Sequence, residues 1–272
     1  MSRKSTIAWM LVFLALNLYA NLLPRLVALP PLNWFAYAIG FFVLAWAAGR
    51  WLLGVRNLAG FGLGFAPGWG RQLGIGFLLG ALAWGLKNAI FFAMGKFDVV
   101  GVMDFGFIAT LLVQALLGMF FASAINDLMI RGYWHAWCRR AGQLRWYVAI
   151  ATVLYVLDDA WNVGFDPVDS LFSLVLGIAL AWTVLKTGRI WMSIGIHWGG
   201  NMVYRVMSGF DGRGVVRLAN VQEGSQYDLV AIVVTALLIP AVYWLVRGAA
   251  PADAGPDSRA GALVDEPLRD LR

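Results

Sequence analysis

The feature that most constrains this chain is a series of apolar runs, each about twenty residues long. A helix of that length rises about 30 Å, which is the thickness of the hydrocarbon layer of a membrane. Hydrophobic residues make up 61% of the 272 residues and charged residues only 13%. A soluble domain carries roughly 25% charged residues. A soluble enzyme, a disordered chain and a secreted disulfide scaffold are therefore excluded, and an all-α polytopic membrane protein is predicted.

Eight apolar segments are predicted to be transmembrane helices. They cover residues 6–23, 33–53, 72–95, 105–130, 146–163, 169–185, 190–207 and 227–246. Four regions follow: two N-terminal helices in 1–56, a core of helices three to seven in 57–207, an outer loop and last helix in 208–247, and a disordered cytoplasmic tail in 248–272. Gly76/Gly80 and Gly195/Gly199 are small-xxx-small pairs, which predict close helix packing.

The basic residues predict the orientation of the helices. If the N-terminus is cytoplasmic, one set of loops and helix ends carries most of the Lys and Arg residues: Arg3, Lys4, Arg50, Arg56, Arg71, Arg131, Arg139, Arg140, Arg145, Lys186, Arg189 and Arg247. The opposite set carries four basic residues mixed with six acidic ones. This asymmetry follows the positive-inside rule, so both termini are expected to be cytoplasmic. The expected location is a bacterial-type inner (plasma) membrane.

Few residues are available for a metal site or a disulfide. The chain has two histidines and one cysteine, Cys138, so an internal disulfide and a His/Cys zinc site are excluded. No metal and no other cofactor is expected. The net charge of +6 is explained by topology, so nucleic acid is not an expected partner. The expected partners are membrane lipid and a membrane-associated peptide or protein.

Polar residues at the end of segment four are the first candidates for a functional site, because ionisable groups inside apolar helices are costly. Asp127 and Arg131 are four residues apart and share a helix face, so they can form an ion pair. Asn126 points about 100° away from Asp127 around the helix and can face a different cavity.

Segment five carries two adjacent aspartates, Asp158 and Asp159. Two adjacent carboxylates in a low-dielectric environment need partners to remain ionised. Lys87 of segment three and Arg205 of segment seven lie at similar depths, so a buried charge cluster with the aspartates is one interpretation. Asp159 shares a face with Tyr155 and is the candidate for a catalytic role.

Segment seven carries His197 and Asn201, which are one helical turn apart and project from one face. The adjacent glycines Gly199 and Gly200 leave space beside the histidine. The pair is therefore predicted to line a site.

These motifs together resemble the CPBP (Abi, CAAX-protease-like) family of intramembrane proteases. That family typically shows Glu-Glu-x-x-x-Arg, then Phe-x-x-x-His, then His-x-x-x-Asn/Asp. The resemblance spans about residues 57–207, and its most specific part is the stretch from Gly177 to His197, with a Lys-Thr-Gly-Arg turn before the histidine helix. It implies a peptidase that acts on a membrane-associated substrate.

The first two motifs depart from the family pattern. The first reads Asn126-Asp127-x-x-x-Arg131, and the second reads Tyr155-x-x-x-Asp159. In the family, the first glutamate and the second-motif histidine are thought to activate a water, and the third-motif residues to stabilise the oxyanion. The resemblance thus implies that the residues for oxyanion stabilisation, His197 and Asn201, are retained and that the usual water-activating residues are not. No glutamate of another segment can replace them, because the only glutamates, Glu223 and Glu266, lie outside the apolar segments.

Three interpretations remain open. In an active peptidase, Asn126 would orient the water, Asp159 would act as general base, and His197 and Asn201 would steady the oxyanion. An aspartyl dyad of Asp127 and Asp159 is a variant that requires Asp127 to leave Arg131. A pseudoprotease would keep the scaffold to bind or regulate a membrane partner. A transporter or channel would use Lys87, Asp158, Asp159, Arg205 and His197 as a polar pathway.

Overall fold

The computed structural model describes residues 1–27 and 30–249, and in these residues the chain is mostly helical. The helices are α1 (Arg3–Asn21), α2 (Leu23–Leu26), α3 (Pro31–Leu52), α4 (Trp69–Ala93), α5 (Phe105–Asp127), α6 (Tyr133–Ala141), α7 (Tyr147–Val163), α8 (Pro167–Thr187), α9 (Trp191–Ser208), α10 (Ser225–Ala236) and α11 (Leu238–Val246). Short 3₁₀ turns lie at Leu58–Phe61 and Leu144–Trp146.

Each predicted apolar segment is helical, which confirms the all-α polytopic prediction. By length and composition, helices in six parts of the described chain can cross a membrane: Arg3–Leu26, Asn33–Leu52, Trp69–Ala93, Phe105–Ala141, Pro167–Thr187 and Ser225–Val246. Helices α7 and α9, which carry the candidate polar residues, are not among them. From residue 250 onward, the predicted tail lies outside the described residues.

Helices α4 and α9 pack closely against each other, and glycines on both helices explain why. A Cβ atom on Gly80 would overlap the backbone carbonyl of Ile196, and one on Gly199 would overlap that of Phe77. The two backbones therefore approach more closely than any larger side chain allows, as the small-xxx-small pairs predict. This contact fixes the depth of α9, the helix that carries His197 and Asn201.

Helices α5 and α6 form one continuous rod that contains a π-helical turn at Leu128–Gly132. The Arg-Gly-Tyr sequence that follows Ile130 forms the last two residues of this turn and its C-cap. Gly132 lies against the carbonyl of Phe61, where a Cβ atom would overlap. Tyr133 is fully buried, stacks on Phe61 at 5.6 Å and donates a hydrogen bond to the carbonyl of Trp9 in α1. The turn thus joins α1, the 58–61 turn and the α5–α6 rod.

A small antiparallel sheet, which the apolar pattern does not indicate, joins two loops at the end of the helices where α4 ends. Strands β1 (Asp98–Val102) and β2 (Val216–Ala219) pair with Asp98 opposite Ala219 and Val102 opposite Val216. The register shifts between Val99 and Gly101. The sheet ties the loop before α5 to the loop after α9.

Candidate active site

The ion pair predicted between Asp127 and Arg131 is confirmed. Nη1 of Arg131 lies 3.0 Å from Oδ1 of Asp127, and both side chains are fully buried. The guanidinium carbon also lies 4.5 Å from the centre of the Tyr155 ring, so the cation is covered by an aromatic face of α7. Because Asp127 remains with Arg131, the arrangement does not favour the aspartyl dyad.

Asp127 also holds α9. Its Oδ2 lies 3.1 Å from Nδ1 of His197, and the hydroxyl of Ser193 donates to its Oδ1. An ionised carboxylate only accepts hydrogen bonds, so Nδ1 carries the proton in this contact. Nε2 of the same ring is then the nitrogen that can meet a substrate.

Asn201 contacts α5 one turn away from this point. Its Nδ2 donates to the hydroxyl of Ser123 at 3.3 Å. Ser123 and Asp127 are four residues apart on α5, and Asn201 and His197 are four apart on α9. The two helices therefore meet along matching polar faces, and the predicted common face of His197 and Asn201 is the face that packs on α5.

Asn126 contacts Asp158 and not Asp159, which corrects the expected water-activating pair. Its Nδ2 donates to Oδ2 of Asp158 at 2.8 Å, and its Oδ1 accepts from Nη1 of Arg131 at 3.1 Å. Asp159 instead accepts a hydrogen bond from Ser173 of α8. The two aspartates are adjacent and therefore about 100° apart on α7, so only one of them can face α5.

The predicted charge cluster of Lys87 and Arg205 with the aspartates is wrong. Nζ of Lys87 lies 5.1 Å from the ring centre of Trp84 and 5.7 Å from that of Phe172. Arg205 donates to the carbonyl of Gly209 at 2.8 Å, at the end of α9. Over the described residues, no ion pair links either cation to a carboxylate. Lys87 is turned towards aromatic rings and Arg205 towards the end of its own helix, so their similar depth does not bring them to the aspartates. Neither cation is therefore part of the polar pathway that the transporter interpretation requires.

A cavity of about 200 Å³ lies beside the Asn126–Asp158 contact. Its polar lining comes from Asn21, Asn126, Asp158 and Asn162, and Trp34, Tyr37 and Met129 are among its apolar lining residues. His197 and Asn201 do not line this cavity. A chain of hydrogen bonds through Arg131 and Asp127 connects the two groups of candidate residues.

A family comparison supports the resemblance. Residues 107–203 match the family model described as type II CAAX prenyl endopeptidase Rce1-like. Over this segment the chain is similar to CAAX prenyl endopeptidases. The segment begins in α5 and ends in α9, so it includes Asn126, Asp127, Asp159, His197 and Asn201. The chain has no match among the curated proteins and none among the solved structures.

Ser193 and Asn21 are among the site residues that the sequence reasoning missed. Ser193 precedes His197 by four residues, and this spacing places its hydroxyl on the face of α9 that meets Asp127. Asn21 lies in an apolar helix outside the matched segment and donates to Asp158. Its signal was the pair Asn17 and Asn21, two amides one turn apart in a segment that is otherwise apolar.

Proposed function

We propose that this protein is an intramembrane peptidase of the CAAX-protease type that hydrolyses a membrane-associated peptide or protein. The observation that carries the proposal is the hydrogen bond between Asn126 and Asp158. Asn126 occupies the position of the first glutamate in the family pattern. A carboxylate is therefore present next to that position, but it comes from α7 and not from α5.

In the proposed reaction, Asp158 is the general base. Its Oδ2 removes a proton from a water that Asn126 orients, and the hydroxide attacks the carbonyl carbon of the scissile peptide bond. Asp158 is 8% exposed and lines the cavity, so a water can reach it. The proton held on Asp158 then passes to the leaving amine as the carbon–nitrogen bond breaks. The products are a peptide with a new carboxyl group and a peptide with a free amine, and Asp158 is a carboxylate again.

His197 and Asn201 are assigned to the oxyanion. The amide of Asn201 is a hydrogen-bond donor. Because Nδ1 of His197 already donates to Asp127, Nε2 is a second donor only in the imidazolium form, in which both ring nitrogens carry a proton. Asp127 fixes the imidazole through Nδ1 and Arg131 balances the charge of Asp127. For both halves of the site to act on one bond, the substrate has to enter between α5, α7 and α9.

The substrate is proposed only as a class. A prenylated C-terminal tail, a peptide precursor and a sorting-signal helix are all compatible with a cavity between helices. We also propose a bacterial-type inner membrane location with both termini cytoplasmic. The basic residues near the ends of α3 and α6 support this orientation, because Arg50, Arg139 and Arg140 lie in the last turns of those helices.

A pseudoprotease is the second candidate, and two observations favour it. Both oxygens of Asp158 already accept a hydrogen bond from an amide, from Asn21 and from Asn126. His197 and Asn201 do not line the cavity that Asp158 lines. Such a protein would hold a membrane peptide without cutting it.

The test compares adjacent isosteric variants in lipid nanodiscs. Wild type, Asp158→Asn and Asp159→Asn are incubated with a library of membrane peptides, and products are identified by mass spectrometry. Cleavage by wild type that is lost in Asp158→Asn and kept in Asp159→Asn supports the proposal. Loss of cleavage only in Asp159→Asn would identify Asp159 as the general base. No cleavage by wild type, beside an active family member in the same library, would favour the pseudoprotease.

A further inference from the structure

The last residue of α1 is tied to the proposed base. Nδ2 of Asn21 donates to Oδ1 of Asp158 at 2.7 Å, which is the shortest of the amide contacts in this part of the structure. Oδ1 of Asn21 accepts in turn from Nδ2 of Asn162 at 3.1 Å. Both ends of the Asn21 amide are therefore used in contacts with α7, and the amide orientation is fixed by them.

The contact is reinforced just beyond the end of α1. Arg25 of α2 donates to the carbonyl of Trp161 at 2.7 Å and to Oδ1 of Asn162 at 3.3 Å. The guanidinium carbon also lies 5.6 Å from the ring centre of Trp161. Two hydrogen bonds at the end of α1 and two at α2 thus join these helices to the end of α7, and one of those at α1 reaches a carboxylate.

The geometry explains what this contact does to Asp158. Two amides hold the carboxylate, one on each oxygen, and in the described chain no cation lies within ion-pair distance of it. With only the bond from Asn126, the carboxylate could rotate about its last side-chain torsion, which is a broad one. The bond from Asn21 on the other oxygen removes that freedom and keeps Oδ2 towards Asn126 and the cavity.

We propose that Asn21 is a positioning residue that orients the carboxylate of Asp158, so that α1 is a functional part of the site. Asn21 lies outside residues 107–203, the segment that is similar to CAAX prenyl endopeptidases. The inference rests on the proposed function, because the orientation of Asp158 affects turnover only if Asp158 is the base. Asn21 acts through Asp158 and is not itself assigned a step in the reaction.

The test uses a matched pair of substitutions on α1. Asn21→Leu removes the donor to Asp158. Asn17→Leu is the control, because Asn17 lies one turn earlier on the same face, and its Nδ2 is 3.9 Å from Sδ of Met129. We expect Asn21→Leu to lower kcat about tenfold with KM unchanged, and Asn21→Gln, which keeps the amide donor, to recover most of that loss. Asn17→Leu should match wild type in both constants.

Stability measurements separate this inference from the proposed function. In a double-mutant cycle, the melting temperatures of Asn21→Leu, Asp158→Leu and the double variant report whether the two side chains interact, because each leucine removes one partner of the hydrogen bond. The inference requires non-additive effects.

Three outcomes would overturn it: unchanged kcat in Asn21→Leu while Asp158→Asn is inactive, equal loss of kcat in both leucine variants, or additive melting shifts. Absence of cleavage by wild type would overturn the proposed function and the catalytic role of Asn21, and non-additive shifts would then leave only the contact between α1 and Asp158.

Discussion

Nδ1 of His197 lies 3.1 Å from Oδ2 of Asp127, so the helix that carries the third motif is fixed to the helix that carries the first. The other oxygen of Asp127 receives Arg131 and Ser193. One buried carboxylate therefore positions a histidine, neutralises an arginine and joins α5 to α9. The following predictions concern this contact and the packing that supports it.

Replacing Arg131 by methionine is expected to destabilise the protein strongly. The substitution leaves Asp127 buried without its cation, which costs about 3–5 kcal/mol in comparable buried pairs. Denaturant unfolding in detergent would measure the change. Arg213→Gln is the control, because it breaks an ion pair with Asp211 that is exposed on both sides, and its unfolding curve should overlay that of wild type. Equal stability of Arg131→Met and wild type would show that the buried pair contributes little.

Gly80→Ala is expected to weaken the packing of α4 on α9. The new methyl group meets the carbonyl of Ile196, and the helices have to separate, at a cost of about 1–3 kcal/mol. Gly85→Ala on the same helix is the matched control, because apart from the nearby backbone of α4 itself no atom lies within 4 Å of a Cβ there. The melting temperature should fall for the first variant and not for the second. A fall of equal size in both variants would contradict the proposed role of the glycine contact.

His197→Gln is expected to lower kcat by about 10²–10³-fold, as removal of an oxyanion donor does in other enzymes. Asn201→Leu should have a similar effect, because it removes the second donor. Cleavage of a membrane peptide by purified protein in nanodiscs is the measurement. Tyr204→Phe provides the control, since this residue lies on α9 with 48% of its surface exposed. Retention of full activity by His197→Gln would remove His197 from the mechanism.

Both termini are expected on the cytoplasmic side, by the positive-inside rule. In a Cys138→Ser background, single cysteines at positions 2 and 258 should react with a membrane-impermeant maleimide only in inverted vesicles. A cysteine at Gln222, in the loop after β2, should react from the opposite side. Labelling of positions 2 and 258 from opposite sides would contradict an even number of membrane crossings.

The helices and one ion pair could be predicted from the sequence because they depend on local spacing. Apolar runs of about twenty residues specify spanning helices. Asp127 and Arg131 share a face at any rotation of α5, since their separation is four residues. The same reasoning placed His197 and Asn201 together on one side of α9.

The partner of Asn126 could not be predicted because it depends on how α7 is rotated. Asp158 and Asp159 are adjacent, and the sequence does not indicate which of them faces α5. That rotation depends on packing against other helices, such as the fit of Gly177 of α8 against Thr152 and Tyr155 of α7. The depth of Lys87 in the membrane was likewise insufficient to predict its contacts, because its ammonium group turns to the aromatic rings of Trp84 and Phe172. Contacts between helices that are far apart in the sequence depend on the tertiary structure.

The π-helical turn at Leu128–Gly132 makes the number of residues in this stretch as important as their identity. A π turn holds one more residue than an α turn, so the turn stores an extra position between Asp127 and Tyr133. Deleting one residue there would remove this extra position and let the rod continue as an α-helix, with Tyr133 still directed to Trp9. Inserting one more residue would instead rotate the rest of the rod by about 100° and carry Tyr133 away from Trp9. The turn has therefore already accommodated one added residue, and a second is incompatible with a working scaffold.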